Sequence, residues 1–131
     1  MDAFSISFAV DDTNRVVVAT ASGPIASVSY VDRCIAFFQG LPEPWRYHRL
    51  YDEAACTGVV AYQDLERLAR IVNPLWARAT TDIKVAVVNA SRLVAARMPM
   101  ASQMYLHSNH RAFETRQEAE LWLKAPADAR G

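Results

Sequence analysis

Two groups of polar residues stand where apolar runs end. Asp52, Thr57 and Gly58 follow the run that closes at Tyr51, and Asn89, Ser91 and Arg92 follow the run IKVAVV at 83–88. Between them they offer a carboxylate, a hydroxyl, an amide, a guanidinium and a flexible backbone, which is the equipment of a small-ligand or switch site. The same residue types also end strands and begin helices: Asp52 and Asn89 suit loops, and Ser91 suits a helix N-cap. A third group is apolar. Met98, Met100 and Met104, with Tyr105 and Leu106, surround Pro99. Methionine adapts to varied partners and proline bends a helix, so this segment opens an apolar groove or fills an irregular gap in a core.

Other chemistry finds less support. The histidines are His48, His107 and His110, with the last two three apart in a loop. A metal site needs three or four ligands at close range, and neither Cys34 nor Cys56 stands at a spacing that completes one, so no metal is expected. The two cysteines show no CxxC spacing and read as free thiols of a reducing, cytoplasmic compartment. GxSxG, a Cys/His constellation, GxGxxG and a Walker loop are all missing, and four glycines make a phosphate cradle a poor expectation. Asp11 and Asp12 fall in a turn. The expectation is a protein without catalytic residues and without a cofactor.

Composition narrows the partners. The 131 residues carry 14 basic and 14 acidic side chains, and the charge is scattered. That lacks the basic footprint of a nucleic-acid binder and any lysine run for anionic lipid. No apolar stretch approaches the roughly 20 residues of a membrane span, and the first residues do not read as a secretory signal. A net charge of zero weakens repulsion between copies, which favours a homodimer or an unidentified protein partner.

The elements that must position these residues follow from periodicity. Phe4, Ile6, Phe8 and Val10 alternate with small or polar residues, which predicts a half-buried edge strand at 4–10. A turn at 11–14 leads to a second strand at 15–21, making a hairpin. Val28, Val31, Ile35 and Phe38 recur at helical spacing over 26–41, with Ser27 as a fair N-cap. A third strand is predicted at 46–51, closed by Asp52, and 53–61 reads as a loop. A helix from Tyr62 carries the stripe Leu65, Leu68, Val72, Trp76 and is interrupted at Pro74, with Asn73 as a new cap. The apolar strand 83–88, a helix from Ser91 to about Leu106, a short strand at 110–114 and a helix opened by a Thr115–Glu118 capping box complete the chain. Residues 125–131 read as a frayed tail. One domain spans 1–131, with its core at about 4–124.

The predicted order β-β-α-β-α-β-α-β-α, with a mostly parallel five-stranded sheet and an antiparallel N-terminal hairpin, resembles the STAS superfamily and its SpoIIAA-like members. Leu50-Tyr51-Asp52, the loop Thr57-Gly58, the helix around Asp64-Leu65-Leu68, the strand KVAVV and the closing Arg111-Ala112-Phe113, Glu118-Ala119 and Leu121-Trp122-Leu123 carry the resemblance. It implies a non-enzymatic interaction or signalling module. Anti-sigma-factor antagonists of this group have an Asp-Ser-x-Gly-type sequence before the second helix, whose serine is phosphorylated. Here the matching residues are Ala55-Cys56-Thr57-Gly58, without the acidic residue and in a shorter loop, which leaves Thr57 as the hydroxyl at that place. The alternative expectation is a carrier or sensor of a small apolar or lipid-like ligand beside Met98, Met100 and Met104, by analogy with sheet topologies of lipid-transfer domains.

Overall fold

The alternating residues at the N-terminus form an edge strand as their pattern demands. In the computed structural model, which describes residues 3–126, strand β1 is Ser5–Asp11 and pairs antiparallel with β2, Val16–Pro24. Helix α1 is Ser27–Gly40, β3 His48–Thr57, α2 Tyr62–Val72, β4 Ile83–Val88, α3 Arg92–Met104, β5 Ser108–Phe113 and α4 Arg116–Lys124. Short 3-10 turns at Pro44–Arg46 and Asn73–Trp76 follow α1 and α2. The sheet order is β1-β2-β3-β4-β5, and every pair after the hairpin is parallel. This is the mixed five-stranded sheet expected from the sequence.

The monotonic strand order dictates where the helices lie. Parallel crossovers are right-handed, so moving one strand at a time in a constant direction puts every crossover helix on the same face. Accordingly α1, α2 and α3 bury Tyr30, Val31, Cys34, Phe38, Leu68, Ala69, Val72 and Ala101 against one side of the sheet. Helix α4 comes after the last strand and covers the opposite side, where Ala119 and Leu123 meet Val16, Leu50, Ala86 and Val88. Strand β4 is buried at five of its six positions, which explains its unbroken apolar sequence.

Several expectations require correction. Residues 53–57 continue β3 instead of forming a loop: Ala55, Cys56 and Thr57 pair with Ser22, Gly23 and Pro24 after a register shift in β2. Glu53 reads as a loop residue by type, but its carboxylate is buried and hydrogen-bonded, which lets the strand go on. Arg46 belongs to a proline-initiated 3-10 turn and β3 begins at His48. Ser27 is the first helical residue and Ala26 the cap; the Ser27 hydroxyl instead donates to Asp64 at 2.6 Å and accepts from the Ala61 N–H at 2.8 Å, tying α1 to α2. Asn73 does not cap the restarted turn through its side chain. It holds the end of α3, donating to the Met104 carbonyl and accepting from the Leu106 N–H. Helix α3 ends at Met104, with Pro99 inside it, and β5 starts two residues early at Ser108. The Thr115 hydroxyl does cap α4, accepting from the Glu118 N–H at 3.2 Å, and it also donates to the Glu118 carboxylate at 3.0 Å, so the N-cap half of the expected box forms. Of the tail expected to fray, residues 127–131 lie outside the described residues.

Candidate functional site

The six strand-end residues separate into distinct places. Asp52 lies within β3 and takes part in the α4 side of the sheet: one carboxylate oxygen accepts from the Ala54 N–H at 3.0 Å and the other is 3.5 Å from Arg116. Asn89, expected beside Asp52, meets Glu53 instead, because the register sets Asp52 against Val88. Its amide donates to Glu53 at 2.8 Å and its oxygen accepts from the Ser91 N–H at 2.9 Å. Ser91 is the residue before α3, but its hydroxyl caps nothing there, and Arg92 is exposed in the first helical turn. Thr57 is exposed at the end of β3, its carbonyl accepting from Ile25. Gly58 follows at φ +81°, a left-handed turn that glycine adopts without strain.

The methionines also separate. Met98 lines a cavity of about 80 Å³ between α2, α3 and the sheet, whereas Met104 packs on the main core and Met100 does not reach the cavity. The walls are largely apolar, from Val60, Leu65, Leu68, Val87, Val94 and Ala101. Polar groups are set among them. Arg49, Tyr51 and Glu53 project from alternate positions of β3 toward the helices, and Tyr30, Arg97, Tyr105 and His110 join them.

Arg49 is only 2% exposed. One guanidinium nitrogen donates to Ser108 Oγ at 3.1 Å, and the Trp76 ring lies 4.3 Å from its central carbon. The other nitrogen, Nη1, is buried without a hydrogen-bond partner, and among the described residues Arg49 makes no ion pair. Burial lowers its pKa, opposed by Tyr51, whose hydroxyl lies within reach of the guanidinium, and by Tyr105 and Cys34. A stacked aromatic returns about 2 kcal/mol when desolvated, while a buried charge without a counter-ion costs several. Glu53 is the acid in the same lining, but its oxygens are engaged by the Tyr30 hydroxyl and the Asn89 amide. Burial raises the Glu53 pKa, and those two hydrogen bonds oppose the shift.

His110 contributes a second unpartnered atom, Nδ1, beside the Tyr105 ring at 5.0 Å. Desolvation, helped by the charge of Arg49, pushes its imidazole down to about 3, so it is neutral at physiological pH. Tyr105 itself donates to the Leu65 carbonyl at 2.9 Å, and Arg97 to the Val60 carbonyl at 2.6 Å. The cysteines stay outside this chemistry: burial pushes Cys34 up to about 12 and Cys56 up to about 11, so neither is a thiolate at neutral pH.

Tyr105 belongs to the methionine segment that the sequence offered as a groove, whereas Arg49, Glu53, Tyr30, Tyr51, Arg97 and His110 escaped the sequence reading as cavity residues. A signal existed in Arg49, Tyr51 and Glu53, three polar or amphipathic residues at period two, but ending the strand at Tyr51 left Glu53 off the shared face. His110 stands at the first position of the predicted strand 110–114, and β5 begins two residues before it, at Ser108, which sets it inside the sheet.

No family model and no curated protein matches the sequence. Solved structures share its fold. An uncharacterized protein of the DUF3478 family with a SpoIIAA-like fold, from Shewanella loihica PV-4, is similar over 94% of this chain and 98% of its own, at TM-score 0.60 and 15% identity. An anti-sigma factor antagonist from Mycobacterium paratuberculosis is similar over 92% of this chain and 96% of its own, at TM-score 0.53 and 17% identity. The chain therefore has the SpoIIAA-like fold.

Proposed function

We propose that this SpoIIAA-like domain is a non-enzymatic interaction or signalling module of the cytoplasm, and that its first partner is a second copy of itself. The observation that carries the reading is an exposed apolar residue in the first turn of each crossover helix. Val28, Tyr62 and Leu93 are 59%, 43% and 50% exposed. All three helices begin at the carboxyl end of the parallel strands, the end where Thr57 and Gly58 lie. Ser27 ties the starts of α1 and α2 together, and Arg97 ties α3 to the segment before α2. An apolar trio on a rigid, cross-linked rim suits a two-fold interface, in which the same patch serves both copies. Zero net charge removes the repulsion that would oppose such pairing.

Light scattering after gel filtration tests this. The expected result is a dimer that Tyr62→Asp and Leu93→Asp return to a folded monomer, with unchanged circular dichroism and a Tm that no longer rises with protein concentration. A wild-type protein that stays monomeric at high concentration and retains no partner from its own cells overturns the reading. A dimer indifferent to both substitutions overturns the assignment of the surface.

A further inference from the structure

We infer that the cavity between α2, α3 and strands β3–β5 binds a short-chain monocarboxylate, its carboxylate paired with Arg49 and its apolar body against Leu68, Val87, Met98 and Ala101. The inference starts from Arg49 Nη1, a buried charged donor with nothing to donate to, on the wall of a cavity. Guanidinium and carboxylate match in charge and in planar geometry, so a carboxylate satisfies both the missing hydrogen bond and the missing counter-ion.

The surroundings restrict the ligand to one negative charge. His110 is neutral, and the cations Arg49 and Arg97 are set against the single acid Glu53, which leaves one positive charge for an anion to compensate. Glu53 in the same lining repels a second acidic group. Phosphate monoesters and dicarboxylates are disfavoured on that ground. Size follows from the volume. About 80 Å³ is near half that of an engineered apolar cavity of about 150 Å³ that admits benzene, so the ligand has few heavy atoms. The predominance of aliphatic wall residues calls for an unbranched hydrocarbon body rather than a hydroxylated one.

The probes are propionate and butyrate, with propionamide and butyramide as neutral isosteres, at pH 7 and constant ionic strength. Binding is read as the shift of the Met98 methyl resonance and as the change in Tm. The acids are expected to shift Met98 and raise Tm, at least tenfold more tightly than the amides. Arg49→Met is expected to lose that preference. Ala101→Leu fills the cavity without touching Arg49, and is expected to lose the response altogether. No response of the wild type to either acid overturns the inference, as does an equal response to acids and amides. If Arg49→Met does not fold, Ala101→Leu decides, since an undiminished acid response there places binding elsewhere and overturns the site.

Discussion

Glycine at two positions, one in a turn and one near the end of β2, shows how a single residue is fixed by backbone or by space. Gly58 and Gly23 both have positive φ, +81° and +85°. A side chain at Gly58 would meet nothing within 4 Å, whereas a Cβ at Gly23 would lie 2.6 Å from the Ala3 carbonyl oxygen. Gly58→Ala should therefore cost only the left-handed strain, about 1–2 kcal/mol. Gly23→Ala should cost clearly more, because the chain at Ala3 must also move; equal losses in denaturant unfolding would refute the distinction. His110 sets an acid limit on stability. Its pKa is about 3 in the folded chain against 6.5 for the free imidazole, so the unfolded state binds the proton more readily. Its contribution is complete above pH 6.5 and is lost as pH falls from there toward 3, at up to about 1.4 kcal/mol per pH unit. Glu53 tilts the other way, since its raised pKa makes stability fall as pH rises above 4.5. Comparing His110→Asn with wild type separates the two. The variant should have the flatter profile between pH 6.5 and 4, and parallel profiles would remove His110 as the cause.

At the scale of elements, legibility followed how much of a pattern was local. Strand β4 and the α4 capping box were readable because an apolar run and a T-x-x-E spacing need no distant partner. The end of β3 was not, because what makes Glu53 a strand residue is a tyrosine 23 positions earlier and an asparagine 36 positions later. Ser27 failed as a cap for the same reason: its hydroxyl is claimed by Asp64 and Ala61 across the α1–α2 contact. Long-range partners also hold the last helix. Lys84 on β4 donates to the carbonyls of Trp122 at 2.8 Å and Ala125 at 2.7 Å at the C-terminal end of α4, where the Trp122 carbonyl also accepts from the Ala125 N–H at 3.2 Å. Its ammonium also lies 5.4 Å from the Trp122 ring centroid. Lys84→Met keeps much of the aliphatic stem and removes the cap, so it should destabilise the fold by about 1–2 kcal/mol. A change under a few tenths of a kcal/mol would show that water serves those carbonyls equally well.

The whole molecule has two unequal cores on the two sides of one sheet. The larger joins three helices to the sheet and includes Trp76, 1% exposed and packed edge-on to Phe38 at 5.4 Å. The smaller depends on α4, whose buried residues are Ala119 and Leu123. This asymmetry follows from the monotonic strand order, which the β-α alternation alone does not fix, because the same alternation with right-handed crossovers also builds sheets whose order reverses and whose helices cover both faces. The largely apolar cavity with its buried Arg49 was not implicit in the sequence either, because it exists only where β3, β4, β5, α2 and α3 converge. Unequal cores should open unequally. Apolar burial is the main stabilising term, and a helix docked by few buried side chains can detach while the rest stays folded. Native-state hydrogen exchange in low denaturant should then show the amides of α4 exchanging at a lower opening free energy than those of β3 and β4. Leu123→Ala should lower that opening energy by about 2–4 kcal/mol, while Trp76→Ala should lower global stability by about 3–5 kcal/mol. Exchange of α4 only together with β3 and β4 would instead make the two cores one cooperative unit. In that case the bridge is Lys84, the residue of β4 that reaches across to the end of α4.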